Sequence, residues 1–155
     1  MAEDRLTEVV GVVVIARGQI LLGLRAGHRR SSANCWDVIG GHVKLGETPV
    51  DALARELKEE IGIALIAPKL LQVFDFENAV EGRSRLHLFM VDQWHATPSL
   101  ANEEHTELRW FDPSEAASLP NLALTQYRAV FSSLDTPRSA DSAIVKDLSP
   151  IDGSG

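Results

Sequence analysis

The chain of 155 residues contains a single cysteine, Cys35, and this scarcity excludes an internal disulfide framework and a cysteine-based zinc site. It also lacks the run of about 18 apolar residues that a membrane-spanning helix requires. The acidic first four residues do not have the basic-then-apolar order of a secretion signal. We therefore expect a soluble, cytoplasmic protein that has no membrane partner.

Basic residues are scarcer than acidic ones, 15 against 22, and the formal net charge is −7. Duplex nucleic acid is not expected as a main partner, because that binding depends on Lys and Arg side chains that neutralise phosphates. The acids are unevenly spread, and five fall within residues 47–60: Glu47, Asp51, Glu56, Glu59 and Glu60. So dense a cluster is typical either of a solvated helix face or of a site that holds cations.

The length and the 45% content of hydrophobic residues are typical of one globular domain. Strand-like runs surround one strong helical pattern, which favours a mixed α/β sandwich over a regular series of βαβ units. We expect strands at 7–16, 19–24, 36–39, 63–77 (broken near 68), 85–95 and 107–111, and helices at 49–61, 113–118 and 122–134. From residue 135 the composition turns to Ser, Asp and Pro. This shift divides the chain into a domain at 1–134 and a flexible C-terminal tail at 135–155.

The helix at residues 49–61 has the clearest signals at both ends. Thr48 is a good N-cap, Pro49 suits the first helical position, and Gly62 is a good terminator. Apolar residues recur at helical spacing and form one stripe that we expect to pack on the sheet: Val50, Leu53, Ala54, Leu57 and Ile61.

Three glutamates of this helix, Glu56, Glu59 and Glu60, are spaced so that they lie side by side. Like charges at this spacing destabilise a helix by about 0.2–0.5 kcal/mol per pair. Arg55 is the only basic residue placed four positions before one of them. Divalent cations prefer clustered carboxylate oxygens and are the natural compensation, with a merely solvated acidic face as the alternative.

Residues 41–63 read G-x5-E-x7-R-E-L-x-E-E-I-G-I, which resembles the Nudix box at every defined position. The predicted order of elements around it is also similar to a Nudix domain, over about residues 6–134. That order has a strand hairpin, Trp36 shortly before Gly40-Gly41, the box helix, long strands, and a last helix after residues 110–111.

The resemblance implies an α/β/α sandwich with a mixed sheet. It also implies an enzyme that uses Mg²⁺ or Mn²⁺ to hydrolyse a nucleoside diphosphate linked to another group. It implies that Glu56, Glu59 and Glu60 hold the metal together with the backbone carbonyl of Gly40. It also implies that Glu47 and Arg55 brace the loop against the helix and orient a glutamate. The catalytic set that it predicts is Glu47, Arg55, Glu56 and Glu59.

Many Nudix enzymes supply a further acid from a loop before the late Trp strand. Glu107 is our first choice for it, with Glu103 and Glu104 as alternatives, although any of them could be simply solvated. The basic loop before Trp36 holds candidates for binding substrate phosphates. Arg25 is the first candidate, and the remaining ones are His28, Arg29 and Arg30. The alternative interpretation is that these charges are simply solvated.

Aromatic residues outside the box are more typical of core than of a binding site, although one could stack on a base. They are Phe74, Phe76, Phe89 and Trp94. Tyr127 and Asn121, near the last predicted helix, are placed where they could bind the edge of a purine.

The substrate we favour is a nucleoside triphosphate, normal or oxidised, cleaved to monophosphate and pyrophosphate. ADP-ribose, nucleotide sugars and dinucleoside polyphosphates stay open, as does a non-catalytic nucleotide-binding module. Such a module is expected to lose one of the box glutamates, and all are present. An isomerase with the same fold would need a cysteine where Gly40 stands. The sequence leaves the oligomeric state open, a homodimer included.

Overall fold

The computed structural model describes residues 5–134, and the predicted tail at 135–155 lies outside the described residues. The strands are β1 Thr7–Ala16, β2 Gln19–Arg25, β3 Trp36–Asp37, β4 Ile39–His42, β5 Ala64–Leu65, β6 Lys69–Asn78, β7 Gly82–Val91, β8 Trp94–His95 and β9 His105–Phe111. The helices are α1 Pro49–Ile61, α2 Pro113–Ala117 and α3 Tyr127–Leu134. Within residues 5–134 no helix has both the length and the apolar content that crossing a bilayer demands.

The larger sheet has seven strands and is mixed. Its main path runs β3-β2-β1-β7-β6, while β4 also pairs with β1 and β9 pairs with β2. Strands β1 and β7 run parallel, and the other pairs are antiparallel. Strands β5 and β8 form a separate two-stranded sheet. The predicted mixed α/β class is confirmed.

Strand β1 lies in the middle of the sheet and is buried on both faces. Val10, Val12 and Val14 point to the face that α1 covers, where they join Leu53 in one hydrophobic cluster. Val13 points to the opposite face and joins a second cluster that contains residues of α2 and α3. Because successive side chains of a strand alternate between faces, the two clusters lie on opposite sides of the sheet, as an α/β/α sandwich requires.

Helix α1 begins and ends where the sequence predicts. The Thr48 hydroxyl accepts a hydrogen bond from the Asp51 amide at 3.1 Å, and Gly62 ends the helix with φ at 70°. The buried face differs from the predicted stripe. Val50 is 42% exposed and Ala54 is exposed as well. The buried residues are Ala52, Leu53, Leu57, Glu60 and Ile61. The helix is therefore rotated about its axis so that Glu60 turns inward.

Several predicted elements have different bounds in the structure. The strand predicted at 36–39 is divided into β3 and β4, and the strand predicted at 85–95 is divided into β7 and β8, which belong to different sheets. The β-rich run at 63–77 is broken into β5 and β6 near Pro68, as expected, where Ala67 adopts φ of 51°. The last helix begins at Tyr127 and not at residue 122, because the preceding segment pairs with β3. Two backbone hydrogen bonds join this segment to Trp36. The Trp36 amide donates to the Asn121 carbonyl, and the Ala123 amide donates to the Trp36 carbonyl, both at 2.8 Å.

Candidate active site

A cavity of about 700 Å³ opens between the C-terminal half of α1, strand β4 and the loops that follow β2 and precede β9. It gathers most of the predicted site residues from segments that are distant in sequence. Those that line it are Arg25, Gly40, Arg55, Glu56, Glu59 and Glu60. Glu47 and Glu107 do not line it.

Arg55 is the centre of a charge network at one end of the glutamate cluster. Its Nε lies 2.7 Å from Glu47 Oε2 and its Nη1 lies 2.9 Å from Glu56 Oε2. The same Nη1 is 3.5 Å from Glu59 Oε1, and Nη2 donates to the His42 carbonyl at 2.9 Å. The Arg55 hydrogen bonds, with the Lys44 amide, lower the pKa of Glu47 to about 2. The loop after β4 is thus tied to α1.

Two glycines of β4 allow this close approach. A Cβ atom on Gly41 would overlap the carboxyl group of Glu56, and one on Gly40 would overlap the backbone carbonyl of Val10 in β1. Because any larger residue would meet these groups, the pair lets a helix carboxylate lie directly against the end of the strand. The Gly40 carbonyl therefore belongs to a segment that already faces the glutamates.

Glu60 lies at the other end of the cluster and is buried, with 5% of its surface exposed. Its Oε1 has no hydrogen-bond partner among the described residues. Burial, and then the adjacent carboxylate of Glu56, raise the pKa of Glu60 to about 9. The alternative of a solvated acidic face fits Glu59, whose side chain is 52% exposed, but it does not fit the buried Glu60.

Close to the free oxygen of Glu60 lies His105, which sequence reasoning missed. Its Nδ1 lies 3.6 Å from Glu60 Oε1. Burial, followed by the charges of Arg25 and Arg29, lowers the pKa of His105 to about 4, so the ring is neutral at physiological pH. A histidine directly after two glutamates in the loop before β9 was the signal available in the sequence.

The glutamate side chains are not arranged as a set of metal ligands in this structure. Among residues 5–134, no three acidic, histidine or cysteine side chains stand in an arrangement that would ligate a metal. The groups still fit a divalent cation. Carboxylate and carbonyl oxygens are the donors that Mg²⁺ and Mn²⁺ prefer, and the buried Oε1 of Glu60 lacks any other partner.

The three acids of the loop before β9 occupy different places. Glu104 lines the cavity and forms an ion pair with Arg29. Glu107, our first choice from the sequence, lies outside the cavity lining and pairs with Arg109 at 3.1 Å. Glu103 is exposed and also lies outside the cavity lining. The location therefore favours Glu104 as the additional acid.

Arg25 lines the cavity, but its guanidinium is already engaged. It donates to Asp37 Oδ2 at 3.3 Å and to the Ser31 carbonyl at 3.0 Å. His28 and Arg30 are exposed and line the same cavity. The basic loop thus faces the site as predicted, with Arg30 and not Arg25 as its exposed guanidinium.

The inner end of the cavity holds a buried polar pair next to apolar walls. The Tyr127 hydroxyl donates to Asp37 Oδ1 at 2.5 Å, and burial raises the pKa of Asp37 despite the nearby Arg25. Phe76 lines the cavity, whereas Phe74 does not. Phe89 and Trp94 are core residues, as expected. Asn121 lies outside the lining and donates to the Asn34 carbonyl, and Cys35 is outside it too.

Comparison with known proteins gives matches over most of the chain. The family model of the NUDIX domain matches residues 5–132. A CTP pyrophosphohydrolase of Escherichia coli is 35% identical over 117 residues, which cover 75% of this chain and 83% of that protein. An 8-oxo-dGTP diphosphatase of Haemophilus influenzae is 36% identical over 88 residues, covering 57% of this chain and 63% of that protein. The solution structure of the E. coli ORF135 protein has a TM-score of 0.72 and 31% identity, covering 88% of this chain and 96% of that one.

Proposed function

This chain belongs to the NUDIX family, and from that premise we propose that it is a metal-dependent pyrophosphohydrolase of nucleoside triphosphates. The proposed reaction releases the nucleoside monophosphate and pyrophosphate. The observation that carries it is that four box side chains, Arg55, Glu56, Glu59 and Glu60, line one cavity, where Arg55 contacts both Glu56 and Glu59. The activities named for the relatives, on CTP and on 8-oxo-dGTP, support a triphosphate substrate.

We propose that Glu56, Glu59, Glu60 and the Gly40 carbonyl hold the divalent cation, Mg²⁺ or Mn²⁺. When bound, such an ion neutralises charge on the diphosphate and lowers the pKa of a water molecule. Glu104 is the additional acid in this proposal, because it lines the cavity while Glu107 does not.

The chain's own residues divide the remaining work. Arg55 fixes the orientation of Glu56 and, through Glu47, the position of the loop before α1. Arg30, exposed at the cavity, is placed to bind substrate phosphates, and substitution at phosphorus needs mainly such positioning and charge stabilisation. Arg25 acts indirectly, because it holds Asp37.

The inner end of the cavity is the proposed place for the base. The Phe76 ring offers an aromatic face, and base–aromatic stacking contributes about 1–3 kcal/mol. Asp37 offers a hydrogen-bond acceptor whose position Tyr127 and Arg25 fix. A cytoplasmic location and a homodimer stay predictions from the sequence.

A substrate panel tests the proposal. The full chain is incubated with Mg²⁺ and CTP, dGTP, 8-oxo-dGTP or ADP-ribose, and the released phosphate species are identified. We expect pyrophosphate from at least one triphosphate and no reaction in excess EDTA. Unchanged turnover in excess chelator would contradict the proposed dependence on a metal ion. Turnover of ADP-ribose alone would contradict the proposal that the substrate is a nucleoside triphosphate. Nucleotide binding without turnover would indicate a non-catalytic module.

A matched pair of variants checks that the cavity is the active site. Glu59→Gln removes an exposed acid of α1 inside the cavity, and Asp51→Asn removes an exposed acid of the same helix outside it. We expect the first variant to lose activity and the second to retain it. Equal activity of the two variants would contradict the proposed site.

A further inference from the structure

The buried contact between Glu60 and His105 joins the last turn of α1 to the first residue of β9. Their side chains are only 6% and 4% exposed, and Glu60 Oε1 lies 3.6 Å from His105 Nδ1. Neither atom has another hydrogen-bond partner among residues 5–134. Two complementary polar atoms thus face each other at slightly more than bonding distance.

The surrounding backbone fixes both members of this pair. The Glu60 carbonyl accepts from the Ala101 amide at 2.9 Å, which ties the loop before β9 to the end of α1. On the other side, a Cβ atom on Gly23 of β2 would lie 2.6 Å from Cδ2 of the His105 ring. Glycine at this position therefore makes the space that the imidazole fills.

A buried polar group without a partner costs about 1–3 kcal/mol, so a chance placement of two such groups is unfavourable. A neutral imidazole has one N–H and can place it on either ring nitrogen. With that hydrogen on Nδ1, a small closing movement would join the two facing atoms, and Nε2 of His105 would remain without a partner among residues 5–134.

We propose that His105 is a positioning residue that donates its Nδ1 hydrogen to Glu60 and so fixes the orientation of this carboxylate toward the metal. The inference rests on the proposed function, because it assumes that Glu60 is a ligand. Hydrogen-bond partners of metal ligands typically change metal affinity by about 10–100-fold when they are removed. A purely structural histidine would not have this effect.

Mn²⁺ binding to the full chain, measured by calorimetric titration without nucleotide, tests the inference. His105→Phe keeps a ring but loses the donor, and we expect its Mn²⁺ affinity to fall at least about 10-fold. His105→Asn places an amide N–H near the position of Nδ1, and we expect affinity within about threefold of the wild type. The matched control is His95→Phe, which alters an exposed histidine of β8 and is expected to leave affinity unchanged.

A second pair of variants keeps the test decisive if His105→Phe does not fold. His105→Gln extends its amide toward the position of Nε2, on the side of Gly23, whereas His105→Asn serves Nδ1. Thermal unfolding without metal identifies the variants that are folded. Weaker Mn²⁺ binding by folded His105→Gln than by His105→Asn supports the Nδ1 contact, and equal wild-type binding by both overturns it.

Glu60→Gln separates failure of this inference from failure of the proposed function. If the wild type binds no Mn²⁺, or if Glu60→Gln binds it as tightly as the wild type, the metal assignment itself is wrong. If Glu60→Gln binds weakly while folded His105→Phe binds like the wild type, only the inference fails. Combining Glu60→Gln with His105→Phe should weaken binding by less than the product of the single effects, because the histidine acts through the glutamate.

Discussion

The two ends of the glutamate cluster are built in opposite ways. At the paired end, defined by Glu47, Arg55 and Glu56, each carboxylate contacts a guanidinium within 3 Å. At the unpaired end, defined by Glu60 and His105, both side chains are buried and their facing atoms lack partners. The paired end is also open to water, since the Arg55 side chain is 21% exposed.

The difference indicates which end depends on a ligand. Ion pairs and hydrogen bonds satisfy the paired end within the protein alone, so it helps to stabilise the fold. The unpaired end lowers stability, because buried polar groups without partners are costly. Such uncompensated groups typically persist at functional sites. A cation would give the free oxygen of Glu60 its missing partner, whereas Glu56 at the paired end already has Arg55 as a partner without it.

The largest expected effect is a loss of activity when a glutamate is replaced at either end, and the two ends should then differ in stability. Glu56→Gln and Glu60→Gln should each lower kcat by about 100-fold or more, because each removes a charge proposed to hold the metal. Without metal, Glu60→Gln should have an equal or higher Tm, since glutamine keeps the size of the side chain and cannot ionise in the buried site. Glu56→Gln should have a lower Tm, since Arg55 loses a charged partner. Activity assays and unfolding in EDTA measure both.

Glu59→Gln is the intermediate case for the same measurements. Its side chain is 52% exposed and lies 3.5 Å from Arg55, so activity should fall while Tm changes little. If the Glu59 and Glu60 variants hydrolyse every accepted nucleotide near the wild-type rate, the metal assignment on this helix is wrong.

Arg55→Ala should break the paired end alone. The substitution leaves Glu47 and Glu56 without their partner, so we expect Tm to fall by roughly 5 °C and activity to fall with it. Arg85→Ala is the matched control, because Arg85 Nε makes an ion pair of the same 2.7 Å length with Asp75 at an exposed site. Exposed ion pairs contribute little, and equal losses in both variants would show that Arg55 has no special role.

The pH dependence of stability should have opposite signs at the two ends. The folded pKa of Glu60 is about 9 against an ordinary 4.5, so the folded metal-free protein binds the extra proton and loses stability as pH rises between these values. The folded pKa of Glu47 is about 2, so its contribution is present at neutral pH and is lost as pH falls from 4.5 toward 2.

Unfolding of the metal-free protein between pH 6.5 and 9 isolates the Glu60 effect. Below pH 6.5, His105 opposes it, because a folded pKa of about 4 makes stability rise with pH from 4 to 6.5. We expect the wild-type Tm to fall across the upper window and the Glu60→Gln curve to be flatter. Parallel curves would contradict the raised pKa of Glu60.

The sequence predicts the paired end better than the unpaired end. The caps of α1 are local, so Thr48 and Gly62 could be identified from their neighbours alone. The spacing of the box residues places Glu47 and Arg55 on one short segment. The inward turn of Glu60 is not local, because it depends on how α1 packs against the sheet and on the loop before β9, whose Ala101 amide bonds the Glu60 carbonyl. Helical periodicity alone therefore placed Val50 in the core and left Glu60 outside it.

The same reason explains the other differences. Arg25 is paired with Asp37 across β2 and β3, a contact that no local pattern indicates. The predicted last helix starts at residue 122, but residues 121–123 pair with Trp36 through tertiary hydrogen bonds, and α3 begins only at Tyr127. Among the acids before β9, position relative to the cavity distinguishes Glu104 from Glu107, and this depends on the register of β9 against β2.

The smallest expected effect is that of removing residues 135–155, which should alter neither end of the cluster. Helix α3 buries Val130 and Phe131 in the second hydrophobic cluster and ends at Leu134. A chain that ends at Leu134 should keep its Tm within about 2 °C and most of its activity. A chain that ends at Gln126 is the control, since it also loses Tyr127 and Phe131 from the core and should unfold. A large fall of Tm in the longer truncated chain would show that residues 135–155 dock on the domain and that the site is not complete without them.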